Sequence, residues 1–314
     1  MGKEVIKSFK AFDKDMKCRE FQYEVGKAYE ESEAKACSKG FHGCENPFAV
    51  LNYYPLVDDG GNMSRFAEVE QSGEIDRDGD KVCSSRISIK AELSLAGFVK
   101  ACVEWIKEAT QKVDVKDVDN SNSAKIGSSG NSAKIGSSGD YAQIGSSGNY
   151  AQIGSSGYYD QIGSSGDYAQ IGSSGYYAQI GSSGYYAKIG SSGNSAKIGS
   201  SGFYAQIGSS GNSAKIGSSG DYAQIGSSGN SAQIGSSGYY AQIGSEGRYA
   251  VICCAGHGSV VKAKVGSWIT LSEWKYDELE KAYIPVCVKT EKVDGEKIKG
   301  DTPYKLVNGQ FVEV

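Results

Sequence analysis

One isoleucine returns every ninth residue through the middle of the chain. It stands at Ile126, Ile135, Ile144, Ile153 and Ile162, and recurs without a slip to Ile252, fifteen times in all. The unit around it reads Gly-[Asp/Asn/Tyr/Phe]-[Tyr/Ser]-Ala-[Gln/Lys]-Ile-Gly-Ser-Ser. Fixed phase over so many copies excludes a random low-complexity linker and predicts a stack of short structural repeats. In Tyr222-Ala223-Gln224-Ile225 the alternation predicts a strand with Ala and Ile on one face, Tyr and Gln on the other. The following Gly-Ser-Ser-Gly is expected to reverse the chain, its glycines supplying positive-φ positions. A lone unit buries one Ala and one Ile, too little to fold by itself. Stacked units predict a mainly β protein, a parallel β-solenoid with a thin Ala/Ile core.

The Tyr/Ser position predicts two repeats per turn. Alternate repeats carry Tyr150, Tyr168, Tyr186, Tyr204, Tyr222 and Tyr240 in an unbroken row. The other set runs Tyr141, Tyr159, Tyr177, then Ser195, Ser213, Ser231, then Tyr249. Sorting by every third repeat scatters the two types. Some seven turns at about 4.8 Å each would make a rod of roughly 34 Å.

Four of the five Ser repeats carry Lys two residues on (Lys125, Lys134, Lys197, Lys215), and eight of the ten Tyr repeats carry Gln. The six tyrosines, with Gln152, Gln170, Gln206, Gln224 and Gln242, are therefore the candidate binding strip, flat and uncharged beside a cationic, solubilising one. The competing reading is that two unit types were copied as blocks and that stacked tyrosines stabilise the sheets. Asp160 replaces the inward Ala in one repeat, where an unpaired carboxylate would be costly, so a local bulge is expected there. Calcium-binding nonapeptides need Asp at fixed phase. Here Asp140, Asp167 and Asp221 are only occasional, which argues against calcium, and no regular Thr array supports ice binding.

Residues 1–118 read as an α+β N-terminal domain and cap, with strands around Ile6–Phe12, Phe21–Val25, Phe66–Ile75 and Ile87–Leu93. Asn46-Pro47 opens a short helix through Tyr54. Ser94 caps a longer helix with Leu95, Phe98, Val99, Cys102 and Ile106 on one stripe, and the stretch 114–120 links it to the solenoid. The solenoid is assigned to residues 119–271, its last turns degenerate, with Val261 at the expected phase. Residues 272–314 form a small β module closing the open end. Trp268–Tyr276, Tyr283–Val293 and Lys305–Val314 read as strands, with a hairpin turn at Asn308-Gly309.

The whole chain has 314 residues, 39% hydrophobic and 22% charged, with a net charge of -4. That balance argues against a general nucleic-acid binder. The start lacks an apolar signal region and no apolar run approaches membrane-spanning length, so no membrane is expected. Forty-three glycines with only 4 prolines fit neither collagen nor an ordinary linker. The 8 cysteines, scattered along a long chain, resemble reduced cytosolic usage. Cys18, Cys37, His42 and Cys44 could supply four zinc ligands, but their spacing matches no common finger; buried thiols are the simpler reading, and no metal or cofactor is assigned. Cys253-Cys254 with His257 reads as core packing at the solenoid's end. No P-loop is present, since no helix follows the Gly-x-x-Gly turns.

The segments KAFDKDMKCREFQYEVGKAYE, GFHGCENPFAVLNYY and SRFAEVEQSGEIDRD resemble an uncharacterised N-terminal domain of bacterial phage and prophage proteins. The tail GSWITLSEW…VDGEKIKGDTPYKLVNGQFVEV resembles the C-terminal segment of the same proteins, which carry Ser/Gly/Tyr repeats between the two. This likeness implies phage or prophage origin and no particular activity. Gly40-Phe41-His42 followed by a Tyr-ended helix is also similar to ADP-ribosyltransferase-type domains, without their catalytic Glu motif.

These features lead first to a non-enzymatic binding or scaffold protein of phage origin. It would engage a partner, foremost a protein, in the host cytoplasm with its tyrosine-lined solenoid, for instance a host-defence component. Glycans and nucleobases are further ligand classes, and self-association into a homo-oligomer is compatible. The second reading is a virion structural or glycan-binding receptor component. The third is a nucleotide-acting N-terminal enzyme with the solenoid as targeting arm. Balanced repeat charge argues against DNA mimicry.

Overall fold

The structure, a computed structural model, describes residues 5–36, 38–111 and 118–314. Among them, the repeats form a parallel β-solenoid with two four-residue strands per coil. From Lys125 to Ser245 each strand is Gln/Lys-Ile-Gly-Ser and pairs in register with the strand 18 positions on, as Gln161 with Gln143 and Gln179. Alternate repeats thus build two separate sheets. The first contains Lys125–Ser128, Gln143–Ser146 and their successors to Val251–Cys254, then Trp268–Asp277. The second contains Lys134–Ser137, Gln152–Ser155 and their successors to Val260–Lys262. Val261 pairs with Ile243, extending the isoleucine phase into the degenerate coil. About eight coils result. The core between the sheets is the predicted one, with the inward Ala and Ile buried from Ala124 to Ile252 except for the partly buried Ala133.

Three local expectations are corrected. The tyrosine lies in the turn, not in the strand. It is also the tyrosine or serine, not the repeat glycine, that takes the positive φ: +54° to +59° across the six-residue Tyr150–Tyr240 row. The glycine following Ser-Ser is needed for a different reason. A Cβ on Gly184 would lie 2.0 Å from the carbonyl oxygen of Gly166 in the coil beneath, so only hydrogen lets the turns stack. Asp160 causes no bulge, since register is unbroken on both sides. Its fully buried carboxylate accepts from the backbone N–H of Ala142 at 2.9 Å and from the hydroxyl of Ser155. Burial raises its pKa even so.

The variable residue before the tyrosine is explained by the same stacking. Where it is Asn or Asp, its side chain accepts the backbone N–H of its counterpart one coil on: Asn149 from Asp167 at 2.9 Å, Asp167 from Tyr185 at 2.9 Å, Asp221 from Tyr239 at 2.8 Å. The carboxylates considered for calcium belong to this ladder. Where the position is aromatic, rings stack instead, as Tyr158 on Tyr176 and Tyr185 on Phe203.

The N-terminal segment folds into an antiparallel sheet whose centre is the long hairpin Arg65–Asp78 and Lys81–Leu93, flanked by Ile6–Phe12, Ala28–Glu30 and Phe41–Gly43. Asn46 caps a 3-10 helix, Pro47–Asn52, by accepting the N–H of Phe48. Ser94 accepts the N–H of Gly97 at the start of helix α1, Leu95–Gln111. Phe66 of the hairpin stacks on Phe98 of α1 at 3.8 Å. The helix is thereby held between this sheet and the second solenoid sheet. The N-terminal domain lies along the solenoid's flank, where a cap over its end was expected. Most of the expected linker, residues 114–117, lies outside the described residues.

At the other end both sheets finish in antiparallel pairs. Ala282–Lys292 pairs with Trp268–Asp277, and Pro303–Val307 pairs with Val260–Lys262 and with Gln310–Glu313. Asn308 and Gly309 both take positive φ in the last hairpin turn.

Candidate functional site

The outward positions of each strand are the Gln/Lys and the first Gly, so each sheet presents one polar row beside one glycine row. The two sheets have nearly the same sequence and opposite surroundings. On the second sheet, successive glycines lie under successive residues of the N-terminal domain. A Cβ at Gly136 would meet Thr110 at 2.9 Å, at Gly154 Ile106 at 2.9 Å, and at Gly172 Val103 at 3.3 Å. The series continues with Phe48 over Gly190, Val99 over Gly208, Leu95 over Gly226 and Met63 over Gly244. A stripe residue every three or four positions of a helix climbs about 5 Å, close to the spacing of about 4.8 Å between parallel strands. The apolar stripe of α1 therefore advances nearly one contact per coil along a strip that glycine keeps smooth.

The equivalent strip on the first sheet is bare. Gly127, Gly145, Gly163, Gly181, Gly199, Gly217 and Gly235 have no atom within 4 Å of where a Cβ would stand. A shallow trough of about 1400 Å³ runs over them, bounded by Lys125, Gln143, Gln161, Gln179, Lys197, Lys215 and Gln233. Lys197 and Lys215 are direct neighbours on adjacent strands. No acid stands in that row, and like charges side by side oppose one another.

The candidate residues divide between two environments. Tyr150, Tyr168, Tyr186, Tyr204, Tyr222 and Tyr240 are exposed along one edge of the rod. Their rings stack at 4.9–5.2 Å and within 14° of parallel. Their faces are thus mostly occupied by each other, leaving edges and hydroxyls outward. A base or sugar could stack only on an end ring. The glutamines that were expected to share this surface face the N-terminal domain. Gln170 accepts from Asn46 at 3.0 Å, Gln206 donates to the Leu51 carbonyl at 3.2 Å, and Gln224 accepts the N–H of Leu56 at 2.7 Å. Gln152 is half-buried and Gln242 is buried.

Lys188, in the same row, is the residue that the pattern underrated. It is the one Tyr repeat with lysine, and its buried ammonium donates to the Phe48 carbonyl at 3.0 Å and to the Asn52 side chain. Burial lowers its pKa to about 8, opposed by the nearby Asp80 carboxylate. Asn52 in turn donates to Asp80 at 2.8 Å.

A second concavity lies in the N-terminal domain, lined by Lys10, Cys18, Phe21, Tyr23, His42, Cys44 and Tyr54 among others. Three of the four thiol and imidazole groups weighed for zinc face it; the fourth, Cys37, lies outside the described residues. Cys18 accepts from Lys10, and burial pushes the Cys44 thiol up to about 12. Among the described residues no His/Cys/Asp/Glu group is arranged to hold a metal ion, and no helix is long and apolar enough to cross a membrane. The described cysteines are all free thiols.

No curated protein and no solved structure matches the chain. Residues 6–101 do match a family model, that of a domain of unknown function, DUF7666, and to that extent the N-terminal segment is similar to that family.

Proposed function

We propose that the protein is a non-enzymatic binding scaffold whose open glycine strip receives an amphipathic helix of a protein partner. The observation that carries this reading is the equivalent strip on the other sheet, filled by the protein's own α1. Grooves that take helices select apolar side chains at three- and four-residue spacing. The bare strip offers the same backbone floor at the same coil spacing. Its border of Lys125, Lys197 and Lys215 asks for acidic residues flanking the partner's apolar stripe. The Tyr150–Tyr240 edge would add contacts through ring edges and hydroxyls at the rim. On this reading, the likeness of the flanking segments to phage and prophage proteins would put the partner in an infected bacterial cell, with a host-defence component as one such partner.

The test uses a fluorescent peptide spanning Ser94–Gln111, with Lys100→Glu and Lys107→Glu to match the lysine row. Its anisotropy is followed on addition of the full chain and of a Gly181→Trp variant, which fills the strip at mid-length. Saturable binding that weakens at least tenfold in the variant is the expected result. No binding, or equal binding to both, would overturn the reading.

A further inference from the structure

The N-terminal concavity is separate from the solenoid strips, and it is lined by a buried lysine that has no carboxylate partner among the described residues. Lys10 stands in the strand Ile6–Phe12, on the phase of Ile6 and Phe12, and is only 5% exposed. Its ammonium donates to the His42 carbonyl at 2.9 Å and lies 3.6 Å from the Cys18 sulfur. It also sits 5.1 Å from the Tyr23 ring centre and 5.7 Å from that of Phe12. Among the described residues no carboxylate pairs with it. Burying an ammonium is costly unless a counter-charge meets it, and one carbonyl, one thiol and two ring faces supply no full counter-charge. Burial accordingly lowers its pKa.

The space in front of Lys10 is about 900 Å³, large enough for a small organic molecule. Three further cations line it, Arg19, Lys39 and Lys81, against two carboxylates, Glu20 and Glu31, both exposed. Lys39 is already paired with Glu33 at 3.3 Å, and Lys81 lies over the Tyr53 ring at 4.3 Å. Arg19 is exposed at the mouth and held at a φ of +56°. The walls are aromatic: Phe21, Tyr23 and Phe41 pack edge to face, leaving Phe21 43% exposed, with Tyr54 also lining the space. A buried cation at one side and exposed ring surface at another are two complementary demands on one ligand.

We propose that this cavity binds a small organic anion carrying a planar ring. Its phosphate or carboxylate would meet Lys10, and its ring would lie against the aromatic wall. Arg19 would close the charge at the mouth. The anion supplies the counter-charge that the fold withholds from Lys10, so affinity should depend on charge and ring together. This site is independent of the helix-binding reading, and its test leaves that reading untouched.

Calorimetric titration of the full chain distinguishes the sources of such an anion. The probes are the four nucleoside 5′-monophosphates, the parent nucleosides, benzoate and inorganic phosphate. At least one ring-bearing anion is expected to bind, with inorganic phosphate and the uncharged nucleosides at least about tenfold weaker. Binding of a nucleotide would assign a phosphate ligand; binding of benzoate alone would assign a carboxylate. Lys10→Met should weaken binding at least tenfold while raising Tm, because it removes a buried charge. Arg19→Ala, at an exposed position that does not endanger folding, should weaken it severalfold. Absence of binding by every ring-bearing anion at millimolar concentration would overturn the proposal. So would full affinity in Lys10→Met or, should that variant not fold, in Arg19→Ala.

Discussion

Lys188 donates to the backbone carbonyl of Phe48 at 3.0 Å, joining positions 140 apart in the chain. Its neighbours in that row, Gln170 and Gln206, make comparable bonds to the same domain without a charge. The ammonium therefore carries a burial cost that glutamine would not. With a folded-state pKa of about 8 against 10.5 for the free side chain, the full cost applies below about pH 8. Between about 8 and 10.5 the unfolded chain holds a proton that the folded chain has released, so stability rises with pH. Wild type should gain about 2–3 kcal/mol relative to Lys188→Gln between pH 7 and 10, since each pKa unit is worth about 1.4 kcal/mol. Urea unfolding of both proteins at the two pH values checks this, and a constant difference would refute it.

The two kinds of repeat glycine should respond oppositely to alanine. At Gly184 the new methyl would be forced onto the Gly166 carbonyl, 2.0 Å away. A loss of more than about 4 kcal/mol is expected there, from backbone overpacking. At Gly181 the space is open and φ is not positive, so Gly181→Ala should gain about 0.4–1 kcal/mol through the unfolded chain. Thermal melts of the two variants decide it.

Inside the rod, the hydroxyls of Ser191, Ser209, Ser227 and Ser245 are buried without a hydrogen-bond partner, whereas Ser155 donates to Asp160. Removing an unpartnered hydroxyl leaves nothing unsatisfied behind. Ser209→Ala should be neutral or stabilising by up to about 1 kcal/mol, and Ser155→Ala should cost about 1–3 kcal/mol. Equal effects in denaturant titrations would contradict this difference.

Tyr204 stacks on Tyr186 and Tyr222, each at 4.9 Å. Serine already occupies the same turn position at Ser213, at the same φ of +57°, so Tyr204→Ser needs no backbone change. The loss should be about 1–3 kcal/mol for two aromatic contacts. Peptide binding on the open strip should change less than twofold, because the ladder stands at the rim; a larger drop would move the ladder into the binding surface itself.

The inward Ala/Ile phase and the two-repeat coil were legible because burial and stacking both leave a period in the sequence. The unbroken Tyr150–Tyr240 row beside a mixed Tyr/Ser row was visible for the same reason. The turn conformation was not. Glycine is ordinarily read as the positive-φ residue, whereas Gly184 is required by the backbone beneath it and Tyr186 takes the φ of +55°. Nor could the sequence tell which sheet is covered, since Gln-Ile-Gly-Ser recurs in both. Lys188 was the one trace, a departure from the Tyr–Gln pairing at the interface. Lys10 had left its own sign, a charge on the buried phase of Ile6 and Phe12, and it could have been found by asking what that phase contained.

The match between α1 and the glycine row has a consequence for heredity. Near-identical DNA repeats invite slippage, and a solenoid of identical coils would tolerate gain or loss of a pair of units anywhere. Here the coils are individually addressed: Thr110 stands over Gly136 and Leu95 over Gly226, with Lys188 keyed to Phe48 between them. Deleting one 18-residue coil inside that span would carry Lys188 or its neighbours one step off their partners. Loss or gain of a coil within the helix's reach is therefore expected to cost the Lys188–Phe48 bond, whereas one beyond it is not.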